Sequence, residues 1–168
     1  MKKLYKISID TELGDMLALA TERGICLLDF SDNKTLALKQ QQLENTLKAE
    51  IIDSSNHHLN QLLFELTEYF TGKRKIFEVS IDLIGTDFQK EVWLSLAKIP
   101  YGKTISYIEQ ARLLGKPSSV RAVANANGKN KISIILPCHR VIGSDGSLTG
   151  YGGGLWRKRR LLEIEDGK

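Results

Sequence analysis

The chain has 168 residues, 42% hydrophobic and 26% charged, values of an ordinary globular protein long enough for one domain or two small ones. No apolar run approaches the ~20 residues of a membrane helix, and the start Met1-Lys2-Lys3-Leu4-Tyr5 has no signal-peptide core, so a cytosolic or nuclear protein is expected. The net charge of +4 divides unevenly: residues 1–84 carry 10 basic and 13 acidic side chains, residues 85–168 carry 14 and 7, and a basic second half suits a polyanionic partner such as nucleic acid, although basic faces also occur on proteins that bind none.

Residues 4–30 read as strands, with Tyr5, Ile7 and Ile9 alternating with polar residues. Turn-like sequences at 11–15 and 21–24 suggest a hairpin or meander. Cys26 lies in the apolar run Gly24-Ile25-Cys26-Leu27-Leu28 and reads as a small buried hydrophobe. Residues 33–50 are ambiguous, with a helix through Leu43 and Leu47 as one reading. Leu59, Leu62, Leu63, Leu66 and Phe70 recur at helical spacing over 56–71, and Gly72 can end that helix. A strand is expected at 76–82. His57 and His58 lie near no second ligand cluster, and two cysteines cannot make a thiolate zinc site, so neither metal nor cofactor is expected.

After Gly85 the pattern turns helical. Thr86 or Asp87 can cap a helix carrying Phe88, Val92, Trp93 and Leu96, which Pro100 ends. Ser106 and Glu109 have capping-box spacing for a helix to Leu114. Gly115-Lys116-Pro117 turns the chain, and Ser118 or Ser119 caps a helix through Asn127 that carries Arg121, Asn125 and Asn127. The pair reads equally as a helix-turn-helix or as a plain helical hairpin. Residues 131–136 are expected to be extended and buried. A glycine-rich loop follows, then a helix from Leu155 to Glu165 with Leu155, Leu161 and Leu162 facing the core. Its run Arg157-Lys158-Arg159-Arg160 is either a solvated face or a phosphate-contacting one.

Cys138 follows the apolar stretch and precedes His139. A cysteine reacts as its thiolate, which an apolar setting disfavours unless a base or cation is near. Adjacent residues do not face each other within a regular element, so coupling would need a turn or a bridging water, with a distant carboxylate orienting the imidazole. On these grounds Cys138 is a candidate nucleophile, and a satisfied core cysteine is the alternative.

Leu136-Pro137-Cys138-His139-Arg140-Val141-Ile142 resembles the active-site signature of the O6-alkylguanine-DNA alkyltransferases. Gly85-Thr86-Asp87-Phe88-Gln89, Val92-Trp93, Ile99-Pro100-Tyr101-Gly102, Ser106-Tyr107, Arg121-Ala122-Val123, Asn130, Gly150-Tyr151-Gly152-Gly153-Gly154-Leu155 and Glu165 resemble the rest of that family's catalytic domain in order and spacing. The match covers 85–165; the first 80 residues are similar only in length and layout.

The resemblance implies an N-terminal α/β, ribonuclease-H-like scaffold over 1–80, a linker at 81–86, and a mostly helical domain over 87–168 containing a helix-turn-helix. It implies irreversible, single-turnover transfer of a methyl or other alkyl group from O6-alkylguanine to Cys138, and leaves acceptance of O4-alkylthymine open. His139 would be the base acting through water, Glu165 its orienting acid, and Asn130 a brace. Tyr107 would donate to guanine N3. Val141, Tyr151 and Gly152 would line the base pocket. Arg121 would fill the space left by the flipped nucleotide in the minor groove of double-stranded DNA, with Ala122, Ala126, Ser118, Ser119 and Asn127 facing the DNA of a monomeric protein. Gly152 stands where some relatives have serine, and Asn127 and Ser133 where animal-type members have methionine and proline. Cysteine-lacking relatives that only bind alkylated bases, a cysteine hydrolase and a helix-turn-helix regulator are the competing readings.

Overall fold

The computed structural model describes residues 2–168, which divide into two compact units, one ending at Ile84 and the other running from Gly85 to Lys168. The first holds β1 (Lys2–Ile9), β2 (Met16–Ala20), β3 (Ile25–Phe30), α1 (Leu36–Leu47), β4 (Ala49–Ile52) and α2 (His57–Phe70). Its sheet has the order β3-β2-β1-β4; β1–β2 and β2–β3 are antiparallel, and β4 joins β1 in parallel. Every residue of β2 and β3 is buried, which demands cover on both faces. Leu17, Leu19 and Cys26 pack with Leu43 of α1. The alternate residues of β2 point the other way, and α2 packs against β1 and β2. Cys26 is thus a buried core residue, as its apolar surroundings suggest.

Asn56 caps α2 by accepting from Leu59 N at 3.0 Å. The core stripe is Leu59, Leu62, Leu66 and Tyr69, whereas Leu63 is exposed. Residues 76–82 do not form the expected strand. They return beside β3 through one isolated bridge, Ile25 to Ile81. The buried Glu65 carboxylate fixes this segment by accepting from Glu78 N and Val79 N at 2.8 and 3.1 Å. A Cβ on Gly24 would lie 2.6 Å from the Ser80 carbonyl oxygen, so only glycine permits the two backbones to approach so closely.

The second unit contains α3 (Asp87–Leu96), β5 (Ile105–Ser106), α4 (Tyr107–Leu113), α5 (Val120–Gly128), a 3-10 turn at Cys138–Arg140, β6 (Val141–Ile142) and α6 (Leu155–Glu165). Thr86 with Gln89 and Ser106 with Glu109 form complete capping boxes at α3 and α4. Trp93 is buried and donates its indole N–H to the Ala126 carbonyl at 2.8 Å, fastening α3 to α5. The Gln110 and Asn127 amides exchange hydrogen bonds of 3.0 and 2.6 Å inside the α4–α5 pair. Gly115, at φ +70°, makes the turn between them. Ser119 occupies the N-cap position of α5 but its side chain makes no cap bond.

Two further sequence expectations are corrected in this unit. Residues 131–136 are buried apart from the half-buried Ile135, but they run as turns rather than as an extended strand. Ile134 even adopts φ +72°, a conformation unusual for a β-branched residue. On α6, Leu161 is buried, but Leu155 is exposed and Leu162 only half-buried. The basic run on that helix also splits: Arg157 and Lys158 are buried, Arg159 is exposed and Arg160 half-buried.

Candidate active site

The turn after residue 130 determines how Cys138 and His139 are presented. Asn130 is buried; its amide donates to the Leu136 carbonyl at 2.8 Å and its oxygen accepts from Ile132 N at 3.0 Å. These bonds tie both ends of the turn carrying Ile134 and deliver the chain into Pro137. Arg140 N then donates to the Pro137 carbonyl at 3.0 Å, closing the 3-10 turn. Successive residues in so tight a turn diverge: His139 is fully buried, and Cys138 remains half-exposed.

His139 Nε2 lies 2.6 Å from Glu165 Oε2. The same carboxylate accepts from Arg140 Nε at 2.7 Å, Arg140 Nη2 at 3.1 Å and Gly102 N at 3.4 Å. Arg140 Nη1 donates to the Ile99 carbonyl at 2.7 Å. Burial alone would raise the Glu165 pKa. The hydrogen bonds and positive charges of His139 and Arg140 outweigh it and hold the carboxyl down at about 2. For His139, burial pulls the imidazole pKa below its ordinary value despite the bond to Glu165, and the charges of Arg140 and Lys158 act in the same downward direction.

The direction that follows is an ionised Glu165 beside a neutral His139. An ionised carboxylate only accepts, so Nε2 carries the imidazole proton and Nδ1 the lone pair. Nδ1 is buried and has no hydrogen-bond partner among the described residues. It is therefore a shielded proton acceptor whose orientation is fixed from the far side of the ring.

A cavity of about 730 Å³ is lined by Tyr107, Val120, Arg121, Ala124, Gly128, Thr149, Gly150, Tyr151 and Gly152; Cys138, His139 and Glu165 do not line it. Of the residues expected in a base pocket, Tyr107, Tyr151 and Gly152 line it. Val141 does not; it is buried in β6. Tyr107 donates its hydroxyl to the Thr149 carbonyl at 3.1 Å. A negative charge on Cys138 would reach both Tyr107 and Lys158, raising the pKa of each, which ties the sulfur to the cavity electrostatically.

Along the second helix of the pair, Arg121, Ala122 and Asn125 are exposed, as is Ser118 just before it, and Ser119 is half-buried. Ala126 and Asn127 differ from the sequence expectation of a DNA-facing role. Both are buried, Ala126 under Trp93 and Asn127 against Gln110, because these positions fall on the face that closes the helix pair. Two residues that sequence reasoning gave no role also belong here. Arg140 is held by Glu165, and Lys158 donates to the Thr149 carbonyl at 2.7 Å. Arg140 sits within the quoted signature, but nothing in the basic run of α6 distinguishes Lys158 from its neighbours.

Among the described residues no cluster of three or more His, Cys, Asp or Glu side chains could hold a metal ion, and no helix is long and apolar enough to cross a membrane. The family model of the 6-O-methylguanine DNA methyltransferase ribonuclease-like domain matches residues 4–83, and that of its DNA binding domain matches residues 87–167. A methylated-DNA–protein-cysteine methyltransferase of Methanosarcina barkeri is 41% identical over 97% of this chain and 98% of its own. A protein of the same name from Mycobacterium bovis is 58% identical over 60% of this chain and 61% of its own. The crystal structure of Mycobacterium tuberculosis OGT in complex with DNA superimposes with a TM-score of 0.82, at 38% identity, covering 98% of this chain and 93% of that one. With a ribonuclease-like unit, a helical DNA-binding-type unit and relatives matched over nearly their whole length, the chain belongs to the 6-O-methylguanine DNA methyltransferase family.

Proposed function

We propose that this protein repairs DNA by accepting an alkyl group from O6-alkylguanine onto Cys138. The observation that carries the reading is the buried Glu165–His139 pair, whose 2.6 Å contact leaves Nδ1 as the free base next to Cys138 in the chain. Proton transfer from the thiol to Nδ1, through a bridging water, generates the thiolate. Its sulfur attacks the alkyl carbon; the S–C bond forms as the C–O6 bond breaks, and the electron pair passes to the purine. Tyr107, exchanging the Thr149 carbonyl for guanine N3, helps that base leave, and the proton taken from the thiol balances it as guanine. O4-alkylthymine carries the same alkyl–oxygen bond beside a ring nitrogen and is a second substrate of this chemistry.

A lesion oxygen lies inside the duplex, so the nucleotide must rotate out to reach the sulfur. The cavity between α5 and the glycine-rich loop suits a flipped base. Arg121, exposed and on the cavity rim, fills the gap from the minor groove. A thioether is a poor leaving group, which makes the transfer irreversible and limits each molecule to one event. The protein acts as a monomer in the compartment that holds DNA, the cytoplasm in a bacterium or archaeon and the nucleus in a eukaryote.

Incubation with a duplex containing O6-methylguanine, followed by intact and peptide mass measurement, tests this. One methyl on Cys138, absent in Cys138→Ala, is the expected result. Unchanged mass with retained binding would overturn it in favour of non-catalytic recognition of alkylated bases.

A further inference from the structure

Lys158 presents a problem of charge. It is 0% exposed, yet its ammonium donates only to the Thr149 carbonyl at 2.7 Å and the Tyr107 hydroxyl at 3.5 Å. Among the described residues no carboxylate pairs with it. Burying a cation against two neutral acceptors is costly, and such an arrangement is retained most readily where an anion develops nearby. Tyr107 from α4 and the Thr149 carbonyl from the loop contact it directly, and the 3-10 turn that carries Cys138 and His139 packs against its helix, within reach of its charge. On its own helix, Arg157 turns away to the Gly153 carbonyl at 3.2 Å, and Glu165 is committed to His139 and Arg140. The one anion available to it is therefore the Cys138 thiolate.

We propose that Lys158 is a positioning residue of the transfer site, whose buried ammonium favours Cys138 as the thiolate and anchors the Thr149 carbonyl in the cavity wall. This rests on the transfer reading above. Burial lowers the Lys158 pKa to about 8, against the opposing pull of a charged Cys138, so the ammonium predominates at neutral pH. Coupling between two titrating groups is reciprocal: if the thiolate favours the ammonium, the ammonium favours the thiolate to the same degree. The same charge disfavours the His139 imidazolium, so Lys158 favours the thiolate directly and not by helping His139 to hold a proton. The Thr149 carbonyl has a further consequence. It accepts from both Lys158 and Tyr107, so when Tyr107 turns to a substrate the Lys158 bond remains to hold the loop.

The test uses the full chain, with Lys158→Gln and Lys158→Arg. Alkylation of Cys138 by iodoacetamide is followed from pH 6 to 9.5 by peptide mass, which separates it from Cys26, alongside single-turnover methyl transfer from an O6-methylguanine duplex. A cation beside a thiol shifts its titration by about one pH unit. Lys158→Gln should move the rising limb of iodoacetamide alkylation upward by about that amount and slow both reactions about tenfold at pH 7, whereas Lys158→Arg should keep the limb in place. A Lys158→Gln limb superimposed on the wild type, or equal losses in both variants with unshifted limbs, would overturn the inference. If Lys158→Gln does not fold, Lys158→Arg decides. Its permanent charge should sharpen the Cys138 profile, which loss of the Lys158 proton near pH 8 broadens in the wild type; an unchanged shape overturns the proposal. A shifted limb in a protein whose wild type transfers no methyl would instead overturn the transfer reading, and with it the role in transfer, while the coupling of Lys158 to Cys138 would stand.

Discussion

Replacing Glu165 by glutamine removes one charge and little volume, so its effects report electrostatics. In the folded protein the carboxyl pKa lies at about 2 against an ordinary 4.5. That difference corresponds to about 3 kcal/mol of stability at neutral pH. Because the folded value is the lower one, this contribution is complete above about pH 5 and is lost as pH falls toward 2. The amide cannot reproduce it. If its oxygen accepts from His139 Nε2, its NH₂ group points at the Arg140 guanidinium, a donor facing a donor. The stranded Arg140 is the other side of the same loss, and the figure sits at the lower end of the about 3–5 kcal/mol that breaking one side of a buried ion pair costs. Both tryptophans, Trp93 and Trp156, lie in the second unit, so urea unfolding followed by tryptophan fluorescence reads this unit selectively. The expected result is a loss of about 3 kcal/mol at pH 7 that shrinks as pH falls through 5 to 3. Methyl transfer should slow by about 10²-fold or more, as for loss of a base-orienting carboxylate. Equal stability differences between the two proteins at pH 7 and pH 3 would refute the argument that Glu165 is held ionised by its partners.

Three further substitutions separate scaffold from surface. Asn127→Ala strands the Gln110 amide and should lower stability by about 1–3 kcal/mol while leaving the salt dependence of DNA binding unchanged; a flattened salt slope would return Asn127 to the DNA interface. Arg121→Ala should do the reverse, keeping the melting temperature within a degree or two but slowing transfer from duplex more than from the free alkylated base. Equal losses on both substrates would remove its proposed role in holding the flipped state. Asn130→Ala breaks both bonds that brace the 130–136 turn and should cost about 2–3 kcal/mol by urea unfolding, with slowed Cys138 alkylation; full stability and full reactivity would mean that the turn is braced elsewhere.

Helix ends were the most legible part of the sequence, because capping is local. Ser106–Glu109 forms the box its spacing implies and Thr86 caps α3, where Gln89 completes a second box, and the three-residue turn Cys138–Arg140 follows a proline as expected of a chain that must change direction. Extended structure was less legible. Residues 131–136 are as apolar as a core strand, but their backbone is satisfied by Asn130 and by turn bonds such as Leu136 N to the Ile132 carbonyl at 3.1 Å. Residues 76–82 likewise carry strand-forming side chains, yet the Glu78 and Val79 amides go to the Glu65 carboxylate and pairing with β3 is confined to the single bridge at Ile81. In both cases a side chain distant from the pattern itself took the hydrogen bonds that a ladder would have used, and periodicity contains no information about that competition.

The same limit explains which functional residues could be read. Cys138, His139 and Glu165 could be singled out because they resemble the family's motif in type and order, and the tautomer of His139 follows from its contact with Glu165. Whether a basic side chain neutralises phosphate or tunes a thiol depends instead on its surroundings. Arg159 and Lys158 are neighbours in one run, but a helix turns 100° between them, leaving the first in solvent and the second fully enclosed. Ala126 and Asn127 fail as DNA-facing residues for the same geometric reason: the exposed stripe of α5 passes through Arg121, Ala122 and Asn125, and positions 126 and 127 return to the side covered by Trp93 and Gln110. A net charge of +7 on the second half therefore overstates the charge available to DNA. Arg140, Arg157 and Lys158 are buried, and the first is neutralised internally by Glu165. The salt slope of binding should accordingly reflect fewer phosphate contacts than the count of basic residues suggests.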